Sequence, residues 1–413
     1  MRRFLLVLLL AMLAVGCEKN GDDITVVEKF VNPYQSAISR VKLQTPKTID
    51  SRTEWVENIQ MITSGQGSSK SYLVRCRGRG NSTWWWSKKW PYLVKLYERE
   101  SVLGFPKARS WVLMANALDP TMLRNEVSFF MSENFSTLEY TPHLAYVDLY
   151  INDDYRGLYQ FGEKPRISKS RVNVGDDGFL LEVDGKANEG EITFSVTGMN
   201  PINIKDPDVT VGDTNYVYIR DFITELNDIM LSRDAAKERK YLGYIDLYSF
   251  ADYYLINEIA KNVDGNYYTS CYMNLKRGGL LKMGPVWDFD TMYGNYFFGD
   301  AEINGFINAT SGYLMGMHWL DVLFQDPDFK TILKEKFQYY YDHRQEIYDF
   351  IDEKSTLIKE AIADDNAIWG QLCDRNAPAE LVITTYQEKV DSLKQWIEDR
   401  FKWLADNLPS RLQ

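Results

Sequence analysis

Residues Lys261–Asn295 read KNVDGNYYTSCYMNLKRGGLLKMGPVWDFDTMYGN. Asp264 falls in a turn between a helical pattern and a strand. Asp288 and Asp290 follow a second strand, behind the apolar approach Val286-Trp287. The three carboxylates therefore meet at one edge of a small hairpin, where a packed core would place none.

Upstream lie RGRGNSTW at 77–84 and KKWPYLVKL at 88–96. Tyr72, Val74 and Cys76 alternate with polar residues, as do Tyr92, Val94 and Leu96, so the glycine turn joins a strand pair and Lys95 points to the face opposite Val94. Other strands are expected at His143–Ile151, Gly157–Glu163 and Gly178–Val183, the first two flanking the turn Asn152–Arg156. A helix starts at Asp119-Pro120-Thr121 and runs to Asn134. Helical periodicity returns over 216–231, 246–261, 319–323, 327–351, 353–364 and 381–406. The Gly185–Asp213 stretch, rich in Gly, Asn, Pro and Asp, reads as a partly stranded excursion at a boundary. A sheet-rich first half and a helical second half predict an α+β protein of two lobes, divided at 41–213 and 214–413.

The chain has 413 residues, 45% hydrophobic and 14% aromatic, enough for a large core. It opens MRRFLLVLLLAMLAVGC, two arginines and an apolar run too short for a permanent membrane span, which predicts a secretory signal over residues 1–17. Its end resembles the bacterial lipoprotein cleavage box, with Ala14 where leucine is usual. That resemblance implies a lipidated Cys17 and a protein of the cell envelope, held to the membrane by acyl chains alone. Residues 18–40, which begin EKNGDD, read as a tether and leading segment. The formal charge of −11 disfavours nucleic acid as a partner. Besides Cys17 there are three scattered cysteines, without a C-x-x-C pair, so no zinc framework is expected and at most one disulfide. The three histidines, His143, His318 and His343, show no ligand spacing.

Phosphoryl transfer asks a protein for donors around phosphates, a cation, carboxylates to hold it, and a base beside the acceptor hydroxyl. Arg79, Gly80, Asn81 and Ser82 supply a turn of backbone amides and a guanidinium fork. Lys95, in an apolar strand, is the expected phosphate contact, with Glu126 or Glu133 as its acidic partner. Asp288 and Asp290 suit Mg2+ or Mn2+, which complete their shell with substrate phosphates. Asp264 is placed to orient an acceptor hydroxyl and take its proton.

RGRGNSTW, KKWPYLVKL, DPTMLRN, YRGLYQFGEK and GPVWDFDTMYGN, together and in this order, resemble the spore coat protein H (CotH) kinase family, from about Val41 to Asn295. The resemblance implies a divergent protein-kinase-like fold and ATP-dependent phosphorylation of serine or threonine on a secreted or envelope protein. It also implies Asp264 as catalytic aspartate, Asp288 as metal aspartate and Lys95 as strand lysine. Arg79 with Asn81 would match the R-G-N-S turn, Arg124 with Asn125 the L-R-N helix start, and Glu163 the acidic residue after G-L-Y. Five residues after Asp264, where ordinary kinases carry a metal-binding asparagine, stands Thr269, leaving Asn266 as the nearby candidate ligand. Asp290 replaces the glycine of D-F-G. Two further readings share parts of this pattern. One is a non-catalytic surface protein gripping a protein or glycan through Trp84, Trp85 and Trp86. The other is a metal-assisted phosphate-ester hydrolase, which leaves Lys95 and the glycine turn unexplained.

Overall fold

The computed structural model describes residues 38–65, 68–295, 302–307, 317–370 and 385–413. Its first seven strands are β1 Ser39–Gln44, β2 Val56–Gly65, β3 Ser68–Gly78, β4 Tyr92–Glu100, β5 Ala108–Met114, β6 Leu144–Ile151 and β7 Asp154–Glu163. They close into a barrel in the order β1-β2-β3-β4-β5-β7-β6, sealed by parallel pairing of β1 with β6. Alternation sends Val74, Cys76, Val94 and Leu96 inward with Trp111, Tyr159 and Phe161 to form one core. The expected strand pair is β3 and β4, antiparallel with Cys76 opposite Val94.

A second sheet, in the order β12-β11-β8-β10-β9, comprises β8 Phe179–Val183, β9 Thr193–Phe194, β10 Ile202–Asp206, β11 Cys271–Leu275 and β12 Leu281–Met283. The helices are α1 Ser82–Trp86, α2 Arg124–Phe135, α3 Thr214–Leu231, α4 Ala235–Glu238, α5 Leu247–Ala260, α6 Met317–Leu323, α7 Pro327–Asp342, α8 Arg344–Trp369 and α9 Tyr386–Arg411. Asp213 and Asp246 cap α3 and α5 by accepting the amides of Tyr216 and Ser249, each at 2.7 Å. The protein is thus α+β with two cores, but the division differs from the sequence-based one. Strand β8 pairs with β11 on one side and β10 on the other, β10 pairs in turn with β9, and these strands pack in the helical core with α2, so the barrel ends at Glu163 and not near residue 213. Helical periodicity had also suggested one helix over 327–351. Instead α7 stops at His343, and the Ile347, Ile351, Ile358 and Ile362 stripe belongs to one long α8. No helix among the described residues is long and apolar enough to cross a membrane. Cys17 and the leader lie outside the described residues.

One fully buried ion pair ties α5 to α9. Arg400 sits 2.6 Å from Glu258, and neither side chain reaches solvent. Glu258 also accepts the amide of Ile307 at 3.0 Å, while Arg400 donates to the carbonyl of Gly305 at 2.9 Å. Removing one partner strands a buried charge, whereas replacing both with apolar groups does not. Arg400→Ala is therefore expected to cost about 3–5 kcal/mol in urea unfolding, and Arg400→Met combined with Glu258→Leu to recover most of that loss.

Candidate active site

Between the barrel and the second sheet lies an open cleft of about 460 Å³, lined from both sides. Its acidic floor begins where α5 ends. Lys261 adopts a left-handed backbone (φ 52°) and reverses the chain into the Asp264 turn. The Asp264 carbonyl accepts the amides of Tyr268 at 3.2 Å and Thr269 at 3.0 Å, which fixes the turn and leaves the carboxylate facing the cleft. Only glycine fits next: a Cβ on Gly265 would lie 2.3 Å from the Asn257 side-chain oxygen. Lys186, on the loop after β8, lies 3.5 Å from the Asp264 carboxylate. Burial raises the Asp264 pKa, the Asp288 charge adds to the rise, and Lys186 opposes it.

After β12, buried Val286 and Trp287 carry the chain into the second acidic turn. Asp288 is exposed and left-handed at φ 69°, an uncommon backbone for a residue with a side chain. Phe289 is buried, and its amide donates to Asn125 Oδ1 at 2.7 Å. Ser270 Oγ donates to Asp288 at 3.2 Å. Burial, with the charges of Asp288 and Asp119, holds the Asp290 carboxyl well above the usual carboxylate range, against the opposing pull of Arg79 and Arg124. Arg124 braces the turn from behind, pairing with Asp119 and donating to the Met292 carbonyl at 2.8 Å.

The opposite wall is cationic. β3 ends at Gly78, where Trp84 packs so closely that a Cβ would fall 2.1 Å from its ring. Gly80 (φ 82°) then turns the chain toward α1. Arg52, which also lines the cleft, donates to the Gly80 carbonyl and to Asn81 Oδ1, each at 2.7 Å, and so holds this turn. Arg79 stacks over Trp287 at 5.7 Å. Lys164, the residue after β7, has no side-chain hydrogen bond or ion pair among the described residues, and burial, with Lys205, Arg166 and Arg79 nearby, pushes its ammonium down to about 7. Lys205 is instead engaged, 3.1 Å from Glu182 and 2.8 Å from Glu191. Burial lifts the Glu182 carboxyl to about 6. Asp184 accepts from Thr269 Oγ1 at 3.1 Å.

Of the residues singled out from sequence, the cleft gathers Arg79, Gly80, Asn81, Ser82, Asp264, Asp288 and Asp290. It does not gather Lys95. That residue lies on β4 between Arg75 and Ser110, on the face turned away from the barrel core, with Arg75, Arg166, Asp208 and Arg109 as its charged surroundings. Neither proposed acidic partner reaches it: Glu126 accepts from Gln160 at 2.7 Å, and Glu133 lies 3.9 Å from His143. Arg124 and Asn125 stand behind the Asp288 turn, where they position it and do not line the cleft. Glu163 is buried with His143 at 2.9 Å and Arg171 at 3.3 Å, while its neighbour Lys164 faces the site. Asn266 is buried and absent from the cleft lining, where Thr269 and Asp184 stand instead. Sequence reasoning missed Lys164, Glu182, Asp184, Lys186 and Lys205. The signal available was charge at the ends of apolar strands, in Y-Q-F-G-E-K and F-L-L-E-V-D-G-K.

Residues 74–404 match the family model described as CotH kinase protein, which covers most of the chain. The chain belongs to the CotH kinase family. Comparison with curated proteins finds no match. The family match extends past the hairpin through α8 and most of α9, so the helices beyond Asn295 are part of the family's domain and not an appendage.

Among the described residues no three His, Cys, Asp or Glu side chains converge closely enough to hold a cation unaided. Two carboxylates on one turn nevertheless fit a hard cation that takes its other ligands from water and phosphate. Without a cation beside it Asp290 would be a liability, because its raised pKa means that ionisation opposes folding. Such a group contributes stability below the ordinary carboxylate pKa, and this contribution is lost as pH rises through the folded value. Asp290→Asn is accordingly expected to raise the melting temperature of the ligand-free protein by about 2–4 °C at neutral pH. The gain should shrink as pH falls and vanish below about pH 3, where the wild-type group is protonated in both states.

Proposed function

We propose that the protein is an atypical kinase that transfers the γ-phosphoryl of ATP to a serine or threonine of a secreted or envelope protein, with Mg2+ or Mn2+ as cofactor. The observation that carries this reading is the unpaired Lys164 ammonium in the same cleft as Asp264, Asp288 and Asp290. A desolvated cation without a counter-ion is costly unless a ligand supplies one, and a polyphosphate does. Membership of the CotH kinase family supports the same chemistry.

In this mechanism Lys164 and Arg79 bind phosphate oxygens, and the Gly80–Ser82 turn, braced by Arg52, contributes backbone amides. A cation held by Asp288 and Asp290 would neutralise charge developing on the transferred group. Asp264 accepts the proton of the acceptor hydroxyl as the oxygen attacks, and its raised pKa makes it a better base than an exposed aspartate. Lys186, beside Asp264, keeps that carboxylate ionised and oriented. The leader ending at Cys17 supports placing the enzyme on the envelope as a lipid-anchored protein, where its acceptor would also reside.

A non-catalytic surface protein is the second reading, favoured by Trp85 and Trp86, which are 70% and 63% exposed beside the cleft. Nucleotide binding separates the two. ATP with Mn2+ is expected to raise the melting temperature of the wild type, with Asp288→Ala abolishing the gain and Lys164→Met reducing it. Asp264→Asn should bind nucleotide yet lose at least about a hundredfold in phosphate incorporation into added or self protein, measured with labelled ATP. No thermal shift at millimolar ATP would leave the binding-protein reading standing.

A further inference from the structure

Three buried side chains and the half-buried Glu126 form an unbroken hydrogen-bonded line into the second acidic turn. The Phe289 amide, between Asp288 and Asp290, donates to Asn125 Oδ1 at 2.7 Å. Asn125 Nδ2 donates to Asn116 Oδ1 at 3.2 Å, and Asn116 Nδ2 to Gln160 Oε1 at 2.5 Å. Gln160 Nε2 donates to Glu126 Oε1 at 2.7 Å, where the line ends. Asn116, Asn125 and Gln160 are each at most 5% exposed.

The two ends force the direction of every bond. A backbone N–H can only donate, so Asn125 must present its oxygen to Phe289 and its NH2 to Asn116, and the same choice passes to Gln160. The last donor then requires an acceptor, which Glu126 supplies. Bonds aligned in this way polarise one another, so a negative charge at the far end strengthens the acceptor that grips Phe289. The line also crosses the molecule. Asn116 follows β5 and Gln160 lies in β7 of the barrel, whereas Asn125 and Glu126 belong to α2 and Phe289 to the turn after β12.

We propose that Asn125, Asn116, Gln160 and Glu126 are positioning residues that hold the Asp288/Asp290 turn in its cation-binding form, and that an ionised Glu126 tightens this grip. The inference rests on the kinase reading for its consequence, but not for its geometry. Glu126 is faced by Lys354 of α8, by His143 ahead of β6 and by the Tyr146 hydroxyl of β6. Burial outweighs Lys354 and His143 and lifts its carboxyl to about 7, so the charge changes within the physiological range. Above that value the ionised end polarises the line, and below it the neutral acid does not.

The experiment is Mn2+·ATP affinity of wild type, Glu126→Gln and Gln160→Leu titrated from about pH 6 to 8.5. Glutamine keeps the acceptor for Gln160 and mimics the neutral acid. Wild type should bind roughly three- to tenfold more tightly than Glu126→Gln above about pH 7, the difference closing below it. Gln160→Leu should be weak at every pH. A wild-type advantage that is absent, or that does not change with pH, overturns the proposal, since loss of mere structural support has no such dependence. Should wild type fail to bind Mn2+·ATP, the kinase reading falls and deuterium exchange of the 286–292 backbone decides the line by itself. Faster exchange in Glu126→Gln and Asn125→Ala than in wild type at pH 8 sustains it, and equal exchange overturns it.

Discussion

Two carboxylates on one short turn repel each other, and sinking one of them among side chains makes its ionisation costlier still. A chain left to itself would swing Asp288 and Asp290 apart into water. The surrounding structure is organised against that relaxation. Asp288 is held at φ 69°, and Tyr267, Ser270 and Tyr293, around the same floor, are also left-handed. Each such residue costs free energy that only tertiary contacts offset. Those contacts are visible: Asn125 on the Phe289 amide, Arg124 on the Met292 carbonyl, and the Tyr293 amide on the Ala260 carbonyl at 3.0 Å. The last of these joins the second acidic turn to the end of α5, four residues before Asp264. The two acidic turns are therefore set relative to one another by a backbone bond, to which the Ser270–Asp288 side-chain contact adds.

The cationic wall is rigid for a different reason. An open sheet can flex at its edges, but here β3, β4, β5 and β7 are each paired on both sides within a closed barrel. Arg79 leaves from the end of β3 and Lys164 from the end of β7, so both cations inherit their position from the barrel. The second sheet supplies Glu182, Asp184 and Lys205 from β8, its end and β10. The barrel, the second sheet with the loop after β8, and the two acidic turns thus converge on one opening.

Much of this was readable from residue patterns, and the failures share a cause. Alternation located β3, β4, β6 and β7, and the helical stripes located α3, α5 and α9, because each signal is local. The acidic floor was legible for the same reason: Asp264, Asp288 and Asp290 flank one hairpin, so a single pairing brings them together. The lysine was not legible. Both Lys95 and Lys164 follow apolar strand patterns, and sequence cannot say which face of a closed barrel adjoins the second sheet. Lys95 took the role because it sat within a strand, yet its alternation with the buried Val94 and Leu96 puts it on an outer face crowded by Arg75 and Arg109. Arg124, Asn125 and Glu163 were right in being polar residues that a core would otherwise exclude. Their work lies one layer behind the cleft, a distinction that spacing along the chain does not encode. The Gly185–Asp213 excursion was misassigned to the barrel half because its strand β10 pairs with β8, whose other neighbour, β11, begins only at Cys271, far along the chain.

How the cleft distributes its ion pairs assigns roles to its lysines. Lys205 is saturated between Glu182 and Glu191, and those two carboxylates hold its pKa up against the burial that would lower it. A phosphate arriving there would have to displace partners already in place, so Lys205 serves to fix the β10 edge against the loop after β8. Lys186 is half committed, near Asp264 at 3.5 Å and over the Tyr268 ring at 5.1 Å. Lys164 lacks a carboxylate within bonding distance among the described residues, and burial makes its charged form costly in free energy, which depresses its pKa. A ligand that brings negative charge to Lys164 recovers that energy without breaking any existing pair, and it raises the lysine's pKa as it does so. Binding of a polyphosphate at neutral pH would therefore be coupled to proton uptake at this one site, which ties affinity to the charge state of Lys164 in the direction opposite to that of Glu126.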